Sequence, residues 1–290
     1  MLTIFFDGIA YGMLLFILAV GLSVTLGLMN FINLAHGAFA MAGGYLTVVL
    51  MQRFGVPFLL CLPIAFVGVA LVGALMERTL YRRMYAKPHL DQVLFSIGLV
   101  FMAIATTDYF LGATTQIIQL PDHLRGRTEW GTGDWILGMG HYRLFIIGVC
   151  ALLALGLQLI LSKTRFGSRL RAAVDDSRVA AGLGINVNRV FLLTFAVGSG
   201  LAGLGGAMGA EVLGLDPQFP LKFMVYFLIV VAVGGTSSIS GPLLAALLLG
   251  IADVAGKYYI PKMGAFTVYI LMIALLVWRP QGLFVRKGGG

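Results

Sequence analysis

Hydrophobic residues in this chain gather into long runs separated by short polar segments; they do not alternate with polar ones. Many runs approach the roughly 20 residues that a helix needs to cross a bilayer. The pattern predicts a first span over about 7–29 and, after an interruption, a shorter run over about 35–51. Gly55 and Pro57 punctuate a turn. Further spans are expected over about 58–80, 92–111, 142–162 and 190–212. Two short runs then flank the segment 234–242, and a last span covers about 265–278. The expected fold class is all-α, a polytopic integral membrane protein with eight or nine transmembrane helices, some interrupted, in a single domain over 1–290.

Two interruptions organise the chain. The first sets Asn30, Asn33, His36 and Gly37 between apolar halves, in GLSVTLGLMNFINLAHGAFAMAGGY. The second, GGTSSISGP, does the same with Gly234, Gly235, Thr236 and Ser237. In lipid, irregular backbone is tolerated only where it is buried in protein or lines a wet cavity. Paired interruptions in the two halves of a chain point to a transport site. These residues, with Ser96 on the fourth span, are the candidate substrate path. The plainer expectation for His36 is a capped break whose imidazole bonds a nearby carbonyl. Asn30 and Asn33 are expected to satisfy backbone groups that the break frees. The glycines of GSGLAGLGGAMG, 198–209, recur at three- and four-residue spacing, which suits close helix packing.

Composition fixes the compartment. Apolar residues make up 59% and charged residues 11% of the chain, against about a quarter charged in a soluble domain. Mean hydropathy is +0.96. The net charge of +8 raises nucleic acid as a partner, but its placement argues against one. Thirteen of the 20 lysines and arginines lie just after the third span, in 163–189, or at the C-terminus. That bias assigns those segments to the cytoplasm. The polar stretch 112–141 then lies outside, with Trp130 and Trp135 at headgroup level. Nine crossings would put the N-terminus outside and eight would put it inside. No basic region precedes the first span, so it is expected to be retained and not cleaved as a signal peptide.

Candidate chemistry is sparse. No G-x-x-x-x-G-K-[ST] encodes an ATP-binding loop, and no Cys/His spacing suits a metal. Cys61 and Cys150 sit in apolar runs as core residues. Asp7, Glu77, Asp108, Glu211 and Asp253 fall at span ends, leaving no mid-membrane carboxylate for proton or sodium coupling. Asp108, Glu211 and Asp253 are expected near the outer face as interfacial, solvated charges. Uphill transport would therefore draw its free energy from another subunit. Within the basic segment, 168–183 reads as one short helix ended by Gly182 and Gly184. Ala172, Ala173, Val179, Ala180 and Leu183 give it a small-residue face. A solvated connector and a docking helix both remain open for it.

Several segments together resemble the smaller permease type of branched-chain amino-acid ABC importers. They are NFINLAHGAFAMAGGY, MERTLYRRMYAKPHLDQVLFSIGLVF, GSRLRAAVDDSRVAAGLGINVNRV, VAVGGTSSISGPLLAALLLG and WRPQGLFVRK. The resemblance runs from about residue 8 to 287. It implies a multi-pass permease in the bacterial inner membrane with a cytoplasmic C-terminus. The implied partners are a second homologous permease, two cytoplasmic ATPase subunits that use the ATP, and a periplasmic solute-binding protein. No cofactor, metal or catalytic residue is implied in this chain. By position, the ATPase-coupling element would hold Arg165, Gly167, Arg169, Arg171, Ala172, Asp175, Asp176, Ala180 and Gly184. Two departures loosen the substrate assignment. The basic loop reads YRRMYAKP, without the family's usual arginine–proline–leucine–arginine, and Ala38 stands where many members carry glutamate. The competing class is a self-contained secondary transporter or a passive channel for a small polar solute such as urea.

Overall fold

The computed structural model describes residues 1–29, 31–130, 137–235 and 238–279. Among these, the helices are α1 (Leu2–Met29), α2 (His36–Phe54), α3 (Phe58–Thr79), α4 (His89–Leu111), α5 (Asp122–Arg125) and α6 (His141–Lys163). They continue with α7 (Arg165–Asp175), α8 (Ser177–Gly182), α9 (Val187–Leu213), α10 (Phe219–Gly234), α11 (Ser240–Tyr259) and α12 (Gly264–Trp278). Each predicted run is a helix. Six of them, α1, α3, α4, α6, α9 and α11, are long and apolar enough to cross a membrane. The chain is a multi-pass, essentially all-α membrane protein.

α9 is the hub, and its glycines are the reason. With no side chain to hold neighbours off, its backbone meets three helices closely. Gly198 lies against Gly21 of α1, Gly203 against Gly43 of α2, and Gly200 against Phe66 and Ala70 of α3. The packing role expected for the 198–209 glycines is thus the one they have. α1 and α9 are the most buried spans, whereas α4 and α6 lie at the periphery. There Leu94, Phe101, Leu152 and Leu155 point outward, as lipid-facing side chains do.

Contacts fix the relative directions. Gly21 meets Gly198 while Leu18 meets Gly205, so α1 and α9 are antiparallel. Gly73 meets Ser199 while Val69 meets Gly203, so α3 also opposes α9. Tyr85, after α3, packs on Phe191 near the start of α9, with centroids 5.9 Å apart. The basic segments 78–87 and 163–189 therefore share one face. The N-terminus lies on the other: Thr3 Oγ1 accepts from the Gly138 amide at 3.1 Å.

Two expectations need correction, and one feature was not foreseen. Within the polar stretch 112–141, β1 (Arg127–Trp130) and β2 (Leu137–Gly140) pair as an antiparallel hairpin, Arg127 opposite Gly140. Strands of four residues are too short to show a period of two in the sequence. The 168–183 helix is two helices, α7 and α8, broken at Asp176, which leaves helical geometry (φ −151°, ψ 103°) and caps α8 with its own carboxylate. Aspartate competes for backbone amides in this way and favours caps over helix interiors. Asp253 is not solvated at an interface. It is buried, bonded to Lys257 Nζ at 2.5 Å and to the Tyr226 hydroxyl at 3.3 Å. Trp135, Arg286 and Lys287 lie outside the described residues.

Candidate functional site

The first interruption is a built structure. Once α1 ends at Met29, residues 31–35 leave helical geometry and their backbone groups need partners. Gln92, at the head of α4, supplies one: its Oε1 accepts from the Ile32 amide at 3.2 Å. Its Nε2 donates to the carbonyls of Lys87 at 3.1 Å and Met84 at 3.4 Å. One buried amide thus joins the break to the α3–α4 loop. Asn33 is also buried, and its Oδ1 accepts from the Tyr81 hydroxyl at 3.1 Å. His36 opens α2, with Nε2 at 2.9 Å from the Leu18 carbonyl and its ring edge-on to Phe227. The imidazole is bonded to a carbonyl of α1, the plainer of its two expected arrangements.

Aromatic rings close the break toward the basic face. Phe31 lies edge-on to Tyr81 and Tyr85, at 5.4 and 5.6 Å. Tyr81 packs in turn on Phe195 at 4.5 Å. Behind them Glu77 is fully buried, accepting from Arg82 Nη2 at 3.1 Å and from the Tyr85 hydroxyl at 3.3 Å. Burial first, and the Glu77 carboxylate second, hold the Tyr85 phenol above its usual range, so it remains a neutral donor. Sequence reading missed Gln92, Tyr81 and this carboxylate cluster. The available signal was that Gln92 and Glu77 are the polar residues that directly adjoin an apolar run, Gln92 before Val93 and Glu77 after Met76.

Replacing Gln92 by leucine should orphan the Ile32 amide and two loop carbonyls. The expected loss is about 1–3 kcal/mol of stability for groups left unpaired in a buried site. Hydrogen exchange should rise first at residues 31–35, and unchanged protection there would refute the bridging role of this side chain.

The other expected path residues are distributed. Gly37 packs on Pro220. Ser96 is fully buried and its hydroxyl donates to Val93 of its own helix at 3.0 Å. Gly234 ends α10 against Gly241 and Pro242, and Gly235 follows at φ +79°. Asn30, Thr236 and Ser237 lie outside the described residues. Among the described residues, Asn33, His36, Gly37 and Ser96 line none of four cavities. The largest of these four, about 900 Å³, lies on the hairpin face between the α2–α3 turn and residues 115–121.

The second interruption instead meets the basic segment. A cavity of about 230 Å³ is lined by Ser238 and Ser240 from the break, Ser23 from α1, and Gly167 and Arg171 from α7. α7 is seated by a close approach at Gly167, where a Cβ would strike the Leu161 carbonyl. Arg171 Nη1 donates to that same carbonyl at 2.5 Å. Leu170, Ala173 and Ala180 are buried against the spans. Arg165, Arg169, Asp175 and Asp176 are exposed, Ala172 is half-buried, and exposed Gly184 closes the segment at φ +84°. The expected small-residue face is split: alanines turn inward, while Val179 and Leu183 stand 59% and 76% exposed. Among the described residues no group of His, Cys, Asp and Glu is arranged to hold a metal.

Known proteins place this architecture. The family described as branched-chain amino acid transport system, permease component, matches residues 4–276. The LivH protein of Methanocaldococcus jannaschii, named a probable branched-chain amino acid transport permease, is 30% identical over 288 residues, 95% of this chain and 90% of its own. LivH of Escherichia coli K12, a high-affinity branched-chain amino acid transport system permease protein, is 27% identical over 97% of this chain and 94% of its own. LivM of the same strain, also named a permease protein of that system, is 27% identical over 93% of this chain and 68% of its own. No solved structure matches at comparable significance. The chain belongs to the family of branched-chain amino acid transport system permease components.

Proposed function

We propose that this chain is one translocation subunit of an ATP-driven importer for branched-chain or other amino acids. It forms a single permease domain over 1–290 in the cytoplasmic membrane. Its solute path is shared with a second, homologous permease. That two different permease proteins of one E. coli system both match the chain supports such a pairing. A periplasmic binding protein delivers solute, and two cytoplasmic ATPase subunits use the ATP; this chain carries no cofactor. Adding α2, α10 and α12 to the six long helices gives nine crossings, with the hairpin and N-terminus outside and the basic segments and C-terminus in the cytoplasm.

The observation that carries this reading is the α7–α8 unit on the basic face. Its inner side is anchored by Gly167, Leu170, Ala173 and Ala180, while Val179 and Leu183 are left bare. Exposed aliphatic side chains on an otherwise charged, firmly seated helix fit a partner's groove. The test is the double substitution Val179→Asp and Leu183→Asp in the complex reconstituted with its partners. Membrane insertion should be retained, with loss of ATPase copurification and of uptake. Arg169→Glu should weaken uptake less, because Arg169 makes no ion pair among the described residues. Uptake at the original rate by the double variant would remove the docking role. Concentrative uptake by this chain alone in liposomes would replace the reading with a self-contained transporter.

A further inference from the structure

We propose that the cleft between α6 and α9 on the basic face is a binding site for one anionic phospholipid. The inference rests on the chain spanning a bilayer and is independent of what it transports. α6 and α9 are held apart here, with Gly21 and Val24 of α1 as the floor and Phe166 and Leu170 of α7 closing the end. The space measures about 250 Å³. Its rim is open to the hydrocarbon: Ile160 and Leu193 are 47% and 44% exposed. Thr194 is the one polar side chain in the lining, and its hydroxyl is already spent on the Val190 carbonyl at 2.8 Å. Nothing in the cleft binds a polar solute. An unfilled apolar cleft forfeits contacts along its whole lining, and the fluid that meets it is acyl chain.

What makes the site selective lies at the inner end. The cleft adjoins the 230 Å³ cavity and shares Val24, Leu161 and Leu170 with it. α7 serves both: Phe166 and Leu170, one turn apart, face the cleft, and the next row, Gly167 and Arg171, faces the cavity. Arg171 has no carboxylate partner among the described residues, and its Leu161 bond holds the guanidinium at the junction. Ser23, also lining the cavity, is only 5% exposed and makes no hydrogen bond among the described residues. The Ser23 hydroxyl opens to the cavity, and the exposed Arg171 guanidinium, held by a single carbonyl, keeps N–H groups that a phosphodiester would accept from. Exposed Arg165 and Arg169 add positive charge on the same helix. Basic pockets between spans at the cytoplasmic surface select anionic headgroups for this reason. One acyl chain would lie between α6 and α9, with its phosphate at Arg171 under the seat of α7.

Native mass spectrometry of the purified full chain tests this, using phosphatidylglycerol and phosphatidylcholine of matched chains as probes. The wild type should retain one phosphatidylglycerol with a preference of about fivefold or more, as expected for one cation facing an anionic headgroup. Leu193→Trp, which fills the mouth from the lipid side, should lose the retained lipid. Arg171→Gln should bind both headgroups alike, and Arg171→Lys should keep the preference. Equal retention of both lipids by the wild type would overturn the proposal. So would unchanged phosphatidylglycerol retention by Leu193→Trp, or cysteine cross-linking from position 197 to the partner permease, which would make the cleft a protein interface.

Discussion

Replacing Gly43 by alanine is expected to lower the melting temperature of the solubilised protein sharply. The new methyl group would land on the carbonyl oxygen and Cα of Gly203, which are backbone atoms with no rotamer to escape into. α2 and α9 would have to separate, and α9 could not retreat because its other sides already press on α1 and α3. Overpacking a tight core costs about 1–3 kcal/mol, and a backbone collision belongs at the upper end of that range. Gly206→Ala should behave alike, since its methyl would meet the Ala40 carbonyl. The comparison that isolates the cause is Gly148→Ala or Gly156→Ala on peripheral α6, where nothing lies within 4 Å of the added atom. Those variants should be neutral, or stabilised by up to about 1 kcal/mol through helix propensity. Equal melting of Gly43→Ala and wild type would remove α9 from its place as hub.

Cutting the Glu77 ion pair should show a marked asymmetry. The Glu77 side chain is 0% exposed and that of Arg82 is 34% exposed. Arg82→Ala therefore leaves a sealed carboxylate with, among the described residues, only the Tyr85 hydroxyl as a donor. Breaking a buried pair from one side costs about 3–5 kcal/mol because the remaining charge is uncompensated. Glu77→Gln leaves Arg82 able to turn to water and keeps a neutral acceptor for Tyr85. Its cost should be smaller, about 1–3 kcal/mol for weakened hydrogen bonds. The double variant should be more stable than Arg82→Ala alone, since the stranded charge is gone. Chemical denaturation of the four proteins gives the cycle directly. Arg82→Ala melting at or above Glu77→Gln would mean that the carboxylate is not sealed. Because the cluster backs the rings around Phe31, the same variants should also loosen residues 31–35.

Much of this molecule is readable from its residues in order. Long apolar runs cannot leave lipid or stay unfolded within it, so the spans were determined to within a few residues at most ends. The Asn/His interruption and the α9 glycines were equally visible, because a polar group or a missing side chain in an apolar run must be explained locally. Charge bias assigned the two basic loops to one face, and the structure brings them together at Tyr85 and Phe191. What sequence order does not carry is which distant group answers each local need. Gln92 meets Ile32 across 60 positions, and Tyr81 meets Asn33 across 48. The inward turn of the alanines in the basic segment was likewise decided by what the helices rest on. So was Asp253, which looked interfacial until Tyr226 and Lys257 enclosed it. Periodicity and hydropathy report the demands of each segment on its solvent. Only packing in three dimensions selects the partner that meets them.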